Sequence, residues 1–114
     1  MSSIDKKGLC LAYALERAKQ MTGRRVDADA LLGIATQTIE GNRVPDTAPG
    51  VRRIEVDDFG SLGDILVMRG NSGLHAMVSV GTGYVEDVDP RGRGRRVLFR
   101  RVAWLTHSCW RLVG

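Results

Sequence analysis

The sequence predicts an α+β domain with N-terminal helices packed on an antiparallel sheet. Three observations carry this. Apolar residues recur at helical spacing in the first forty positions, the period drops to two after Gly50, and the strand-like segments that follow are joined by short glycine-rich turns. A chain of 114 residues holds one hydrophobic core, so residues 1–114 are read as a single domain.

From about Gly8 to Gln20, Leu11, Leu15 and Ala18 lie on one helix face, with Glu16, Arg17, Lys19 and Gln20 on the wet side and Gly23 as the stop. Asp27 caps a second predicted helix running to Glu40, where Ala28, Leu31, Leu32, Ala35 and Ile39 form the apolar stripe and Gly41 ends it. Pro45 and Pro49 mark residues 41–50 as a loop. Val51–Val56 reads as a short strand. Ile65-Leu66-Val67-Met68 is a continuous apolar run, as a strand covered on both faces requires. In Leu74–Val80 the apolar Leu74, Ala76, Val78 and Val80 alternate with His75, Met77 and Ser79. Tyr84–Asp89 follows, and a last strand pair is expected at about Val97–Leu105 and Ser108–Val113.

Composition narrows the function classes. At 43% apolar and 26% charged, the chain has an ordinary globular balance. No apolar run approaches the ~20 residues of a membrane helix, so no membrane partner is expected. The first thirty residues lack a signal-peptide layout, so the protein is expected to be cytoplasmic as made, with any export by a non-classical route. Two cysteines cannot build a disulfide scaffold or a four-thiolate zinc site. Six of the 17 basic residues fall between Arg91 and Arg101, a stretch without an acid; the remaining 11 face 13 acids, so the basic character is local.

Three positions could do chemistry together. Cys10 is placed near the start of the first predicted helix, where free backbone N–H groups and the helix dipole would lower a thiol pKa. His75 lies on the opposite side of its strand from Leu74, Ala76, Val78 and Val80. If Gly81-Thr82-Gly83 forms a three-residue hairpin loop, counting back pairs His75 with Asp89, where a carboxylate reaches an imidazole N–H. A one-residue slip would send the two side chains to opposite faces. Asp87, opposite Met77 on that same face, is the reserve third member. A thiol needs a base, and the base needs an acceptor that fixes its tautomer; Cys10, His75 and Asp89 supply these parts in order.

The segments Gly8-Leu9-Cys10-Leu11-Ala12, Gly63-Asp64-Ile65-Leu66-Val67, His75-Ala76-Met77-Val78-Ser79-Val80 and Val88-Asp89-Pro90 together resemble the small bacterial papain-like cysteine hydrolases: bacteriocin-transporter leader peptidases, cell-wall endopeptidases of the NlpC and CHAP types, and papain-fold toxins. The likeness spans nearly the whole chain in order and spacing. It implies a minimal papain-like fold and a thiol-dependent hydrolase that cleaves or deamidates an amide bond without a cofactor or metal. A peptide, a protein, a peptidoglycan stem peptide or a glutamine side chain is the implied substrate, and for a toxin or effector domain an immunity protein is the implied partner. One departure is visible: Ser2–Lys7 contains no Asn or Gln to help bind an oxyanion. The Cys10 backbone N–H, with a Ser3 hydroxyl or Lys7, is left to serve, and a missing donor costs ~10²–10³ in rate.

Two other constellations are readable. Arg91, Arg93, Arg95 and Arg96 form an arginine-rich hairpin that could contact a substrate or acidic partner, so a non-catalytic binding module is the alternative function; thin aromatic interleaving argues against nucleic acid. His107 and Cys109, two apart, would share a strand face as a zinc half-site completed by Glu86, Asp87 or Asp89, and His75, Asp87 and Asp89 are the other metal candidate.

Overall fold

A computed structural model of the chain describes residues 3–26, 31, 33, 47–48, 50–70, 73–88 and 93–113. It is an α+β domain in which the long helix α1 (Ser3–Thr22) packs on an antiparallel sheet. The strands are β1 (Thr47–Ala48), β2 (Val51–Ile54), β3 (Ile65–Gly70), β4 (Gly73–Gly81), β5 (Tyr84–Val88), β6 (Gly94–Leu98) and β7 (Thr106–Leu112). Their order is β1-β2-β7-β3-β4-β5-β6, so the last strand inserts between two early ones. Trp110 pairs with Arg53 on one side and Ile65 on the other and is completely buried. The central register therefore closes only when the C-terminal strand docks, a contact of high sequence separation.

The sheet is covered on both faces, which explains the unbroken apolar run in β3. Leu11, Ala14, Leu15 and Ala18 form one stripe of α1 and bury against Val51, Ile65, Val67, Ala76, Val78, Trp110 and Leu112. The other face holds Ile54, Phe59, Leu66, Met68, Met77, Val85 and Cys109, under Val97, Phe99, Val102 and Leu105. These last residues correct the expected strand at Val97–Leu105. Only Gly94–Leu98 is strand there; Phe99–Val102 is a helical turn and Ala103–Leu105 a 3₁₀ turn. Phe99, Val102 and Leu105 recur every third residue, a period that a strand would split between its faces but a tight helix keeps on one.

Other boundaries also shift. α1 begins five residues before Gly8. Of the predicted helix Asp27–Glu40, Leu31 and Gly33 are helical and Leu31 is fully buried; its other residues lie outside those described. Within residues 41–50, Thr47–Ala48 pairs with β2 rather than looping freely.

Gly63 and Asp64 act as a joint at the entry to β3. Gly63 has φ +85, and a Cβ there would stand 2.8 Å from the Thr22 methyl, so a side chain would collide with the end of α1. Asp64, 1% exposed, accepts the Gly60 and Ser61 amides at 3.1 and 3.0 Å. It also takes a two-pronged contact from Arg111 on β7, Nε and Nη2 both at 2.9 Å. The Gly-Asp pair is thus a structural clamp between the β3 turn and β7.

Candidate active site

The hairpin between β4 and β5 sets the position of His75 by an unexpected route. Its turn has two residues, Thr82 and Gly83, with φ of 57 and 86, closed by Gly81 opposite Tyr84. Both values suit the tight hairpin turn whose twist matches the strands. Beyond it Ser79 faces Val85 and Val78 faces Glu86, so Val80 is an extra residue on β4. The bulge restores the offset that a three-residue loop would have given. The expected partner of His75, Asp89, lies outside the described residues. His75 reaches diagonally to the reserve candidate: its Nε2 is 2.7 Å from Asp87 Oδ2.

Asp87 is 1% exposed and held from two sides. Arg95, directly opposite on β6, donates Nε to Oδ1 at 3.0 Å and Nη2 to Oδ2 at 2.9 Å. Burial pushes the Asp87 carboxyl up, but the hydrogen bonds from His75 and Arg95 outweigh it and hold the group below the usual carboxylate range. An ionised carboxylate only accepts, so His75 Nε2 donates the hydrogen of this bond. The His75 side chain is 26% exposed, so the ring is in part open to solvent.

Cys10 departs from expectation. Because α1 starts at Ser3, the thiol sits two turns inside the helix, beyond the first turn where the dipole acts. In the helix body, amides are spent on carbonyls four residues back, so the Cys10 N–H is not the free oxyanion donor expected from the sequence. Burial, followed by the charge of Asp87, pushes the half-buried thiol up in pKa; Arg95 offsets part of this. The thiol therefore keeps its proton at neutral pH. Asp87 and Arg95 are close enough to act on it electrostatically, yet among the described residues no hydrogen bond joins Cys10 to His75. Strand alternation explains the gap: His75 pairs with Met68 and leaves β4 on the side of Met68 and Met77, whereas α1 covers the side of Ala76 and Val78. The structure brings His75 and Asp87 together and sets Cys10 within range of the Asp87 and Arg95 charges.

A second polar cluster fastens the cysteine helix to β5. Glu86, next to Asp87 but on the α1 side, accepts the Tyr13 hydroxyl at 2.7 Å, Arg17 Nε at 2.8 Å and Arg96 Nη2 at 3.2 Å. Burial raises the Glu86 carboxyl, and these three donors more than compensate, leaving it below its ordinary value. Tyr13 and Arg17 are three and seven residues after Cys10, on its side of the helix. Arg17 is thus no solvent-side residue. The one available signal was the Tyr13/Arg17 spacing of four beside a lone apolar stripe.

Two of the hairpin arginines are likewise committed inward: Arg95 to Asp87 and Arg96 to Glu86. Arg93 is exposed and Arg91 lies outside the described residues. The His107–Cys109 pair does not keep a simple shared face. Val67 pairs with Ser108 and Met68 with Thr106, so His107 is the extra residue of a bulge. Cys109 is buried, its thiol pushed up to about 12 by burial and then by the Asp64 charge. Among the described residues no group of three or more His, Cys, Asp or Glu side chains is arranged to hold a metal ion. No helix among them is long and apolar enough to cross a membrane.

No protein-family model matches the chain, and no curated protein matches it at a significant level.

Proposed function

We propose that this domain is a papain-like thiol hydrolase acting on an amide bond, with Cys10 as nucleophile, His75 as general base and acid, and Asp87 as the orienting carboxylate. The observation that carries the reading is the 2.7 Å contact between His75 Nε2 and a buried, arginine-clamped Asp87. It fixes the imidazole in the tautomer that a base needs. The electrostatic reach of Asp87 and Arg95 to Cys10 is the supporting link.

With a raised thiol pKa, the reaction begins from the protonated Cys10 thiol rather than from a standing thiolate. As Sγ attacks the carbonyl carbon, Nδ1 takes the thiol proton, while Asp87 stabilises the charge that appears on the ring. The C–N bond breaks, the leaving amine takes the proton from Nδ1, and the acyl group stays on sulfur as a thioester. Water, deprotonated by the same nitrogen, releases the acid, and Sγ recovers the proton. Cys10 and His75 lie on opposite faces of the sheet in the free domain, so the first step requires a rearrangement that brings Sγ and Nδ1 within hydrogen-bond distance. A peptide bond, a peptidoglycan stem peptide or a glutamine side chain each fits this chemistry.

The alternative, a docking module working through the Arg91–Arg96 hairpin, is weakened by the inward engagement of Arg95 and Arg96. Intact-mass analysis after incubation with p-nitrophenyl acetate tests the hydrolase reading. One acetyl group on Cys10, absent from Cys10→Ser, is expected. No adduct, or one that survives Cys10→Ser, counts against it.

A further inference from the structure

The turn that carries residues 99–105 has one side committed to the core and the other built for contact. Phe99, Val102 and Leu105 pack under the sheet, and the Phe99 ring lies 4.6 Å from that of Phe59. The opposite side presents Arg100, Arg101 and Trp104, all exposed. Trp104 is 79% exposed, on the side of an amphipathic turn where a polar residue is expected. The ring is nevertheless tethered: its Nε1 donates to the Arg101 carbonyl at 3.1 Å. Arg100 and Arg101 precede it by four and three residues and are exposed on the same short segment. Among the described residues neither forms an ion pair, in contrast to Arg95 and Arg96. The turn is anchored to the sheet by the Phe99 amide, which donates to Gly83 O at 2.8 Å at the β4–β5 hairpin. His75 lies at the other end of β4, six residues from Gly81, or about 20 Å at ~3.3 Å per residue.

We propose that Trp104, flanked by Arg100 and Arg101, is the anchor of a docking surface for an acidic protein partner, separate from the candidate active site and independent of what that site does. A tethered indole enters a partner's pocket with little ordering cost, and tryptophan and arginine are the residues that dominate such anchors. The charge complement is acidic, because the two arginines are unspent. A protein fits better than a nucleic acid. Single strands are tracked by a run of basic groups with successive stacking rings, and here the neighbouring Arg95 and Arg96 are neutralised, leaving one ring and two charges. A membrane surface would need a broader apolar face than a single ring.

The test uses a fluorescein-labelled peptide of alternating glutamate and leucine, followed by anisotropy with the full chain. Saturable binding, weakened by roughly tenfold or more in Trp104→Ala and in the double variant Arg100→Glu/Arg101→Glu, is the expected result. Because all three side chains are exposed, the variants should melt with the wild type, which separates lost docking from lost folding. Cys10 alkylation should proceed equally with and without peptide, since the two places are far apart. The proposal is overturned if the peptide does not bind, if binding is indifferent to Trp104, or if an oligothymidylate or phosphatidylglycerol vesicles bind more tightly through the same residues.

Discussion

Removing the Asp87 carboxylate tests the fold and the candidate site at once. In Asp87→Ala, His75 loses its acceptor at 2.7 Å and Arg95 loses two, at 3.0 and 2.9 Å. A hydrogen bond to a charged group contributes about 1.5–3 kcal/mol. Arg95 is 55% exposed, so its pair is discounted to at most about 1 kcal/mol. Both abandoned partners can rehydrate, which keeps the loss below the 3–5 kcal/mol of a fully stranded charge. The sum is about 2–3 kcal/mol, and at ~4 °C per kcal/mol for a domain of this size the melting temperature falls by about 8–12 °C. Asp87→Asn should cost less. Its oxygen can keep the Oδ2 position facing His75, and its amide then opposes only Arg95 Nε, which can turn to water; about 1 kcal/mol is expected. The assay pairs thermal melts with ¹⁵N NMR of the His75 ring. Asp87→Ala should release the ring from its single Nε2–H tautomer, and Asp87→Asn should retain it. If Asp87→Ala melts within about 2 °C of wild type with its tautomer unchanged, the carboxylate neither holds nor orients His75.

Further outcomes follow from the neighbouring contacts. Tyr13→Phe deletes a 2.7 Å bond to Glu86 but leaves Arg17 on the same oxygen, so thermal melts should register a loss of only about 1 kcal/mol. A Cβ at Gly94 would stand 2.6 Å from the Tyr13 hydroxyl; Gly94→Ala should therefore destabilise the wild type more than it does Tyr13→Phe, and equal costs in both backgrounds would show that the two do not meet. Asp87 and Glu86 both have depressed pKa values, so their contribution is complete above the unfolded carboxylate range near pH 4 and disappears as pH falls through the lower folded values. Urea midpoints should decline below about pH 4, and less steeply in Asp87→Ala; parallel declines would remove Asp87 from the acid transition.

The parts of the fold that were legible in the sequence are those where one periodicity governs. The stripe Leu11, Leu15 and Ala18, the run Ile65–Met68 and the alternation through Leu74–Val80 each fix an element because burial has a single direction to satisfy. The Phe99–Leu105 segment was misread because its apolar residues, taken singly, suit a strand; only the spacing of three betrays the helix. At Val78 and Glu86 the hairpin has the offset of a three-residue loop only because a bulge at Val80 compensates a shorter turn; pattern alone does not distinguish one extra loop residue from one extra strand residue. Asp89, the expected partner of His75, lies outside the described residues; the observed bond runs to the reserve candidate Asp87, whose buried charge Arg95 also holds. Glu86 with Tyr13 and Arg17 was invisible: long polar side chains on a helix look solvated until the sheet beneath supplies a partner. The start of α1 also escaped, and with it the environment of Cys10.

Thiol hydrolysis at this site requires Cys10 and His75 to act as one chemical unit, and the rate of Cys10 alkylation by iodoacetamide at pH 7 measures this directly. Buried Cys109, with its thiol pushed up to about 12, serves as the slow internal reference that reports any general opening of the fold. Coupling predicts that His75→Ala slows Cys10 by roughly tenfold or more while Cys109 stays unchanged. Equal Cys10 rates in the wild type and His75→Ala would mean that the imidazole takes no proton from the thiol.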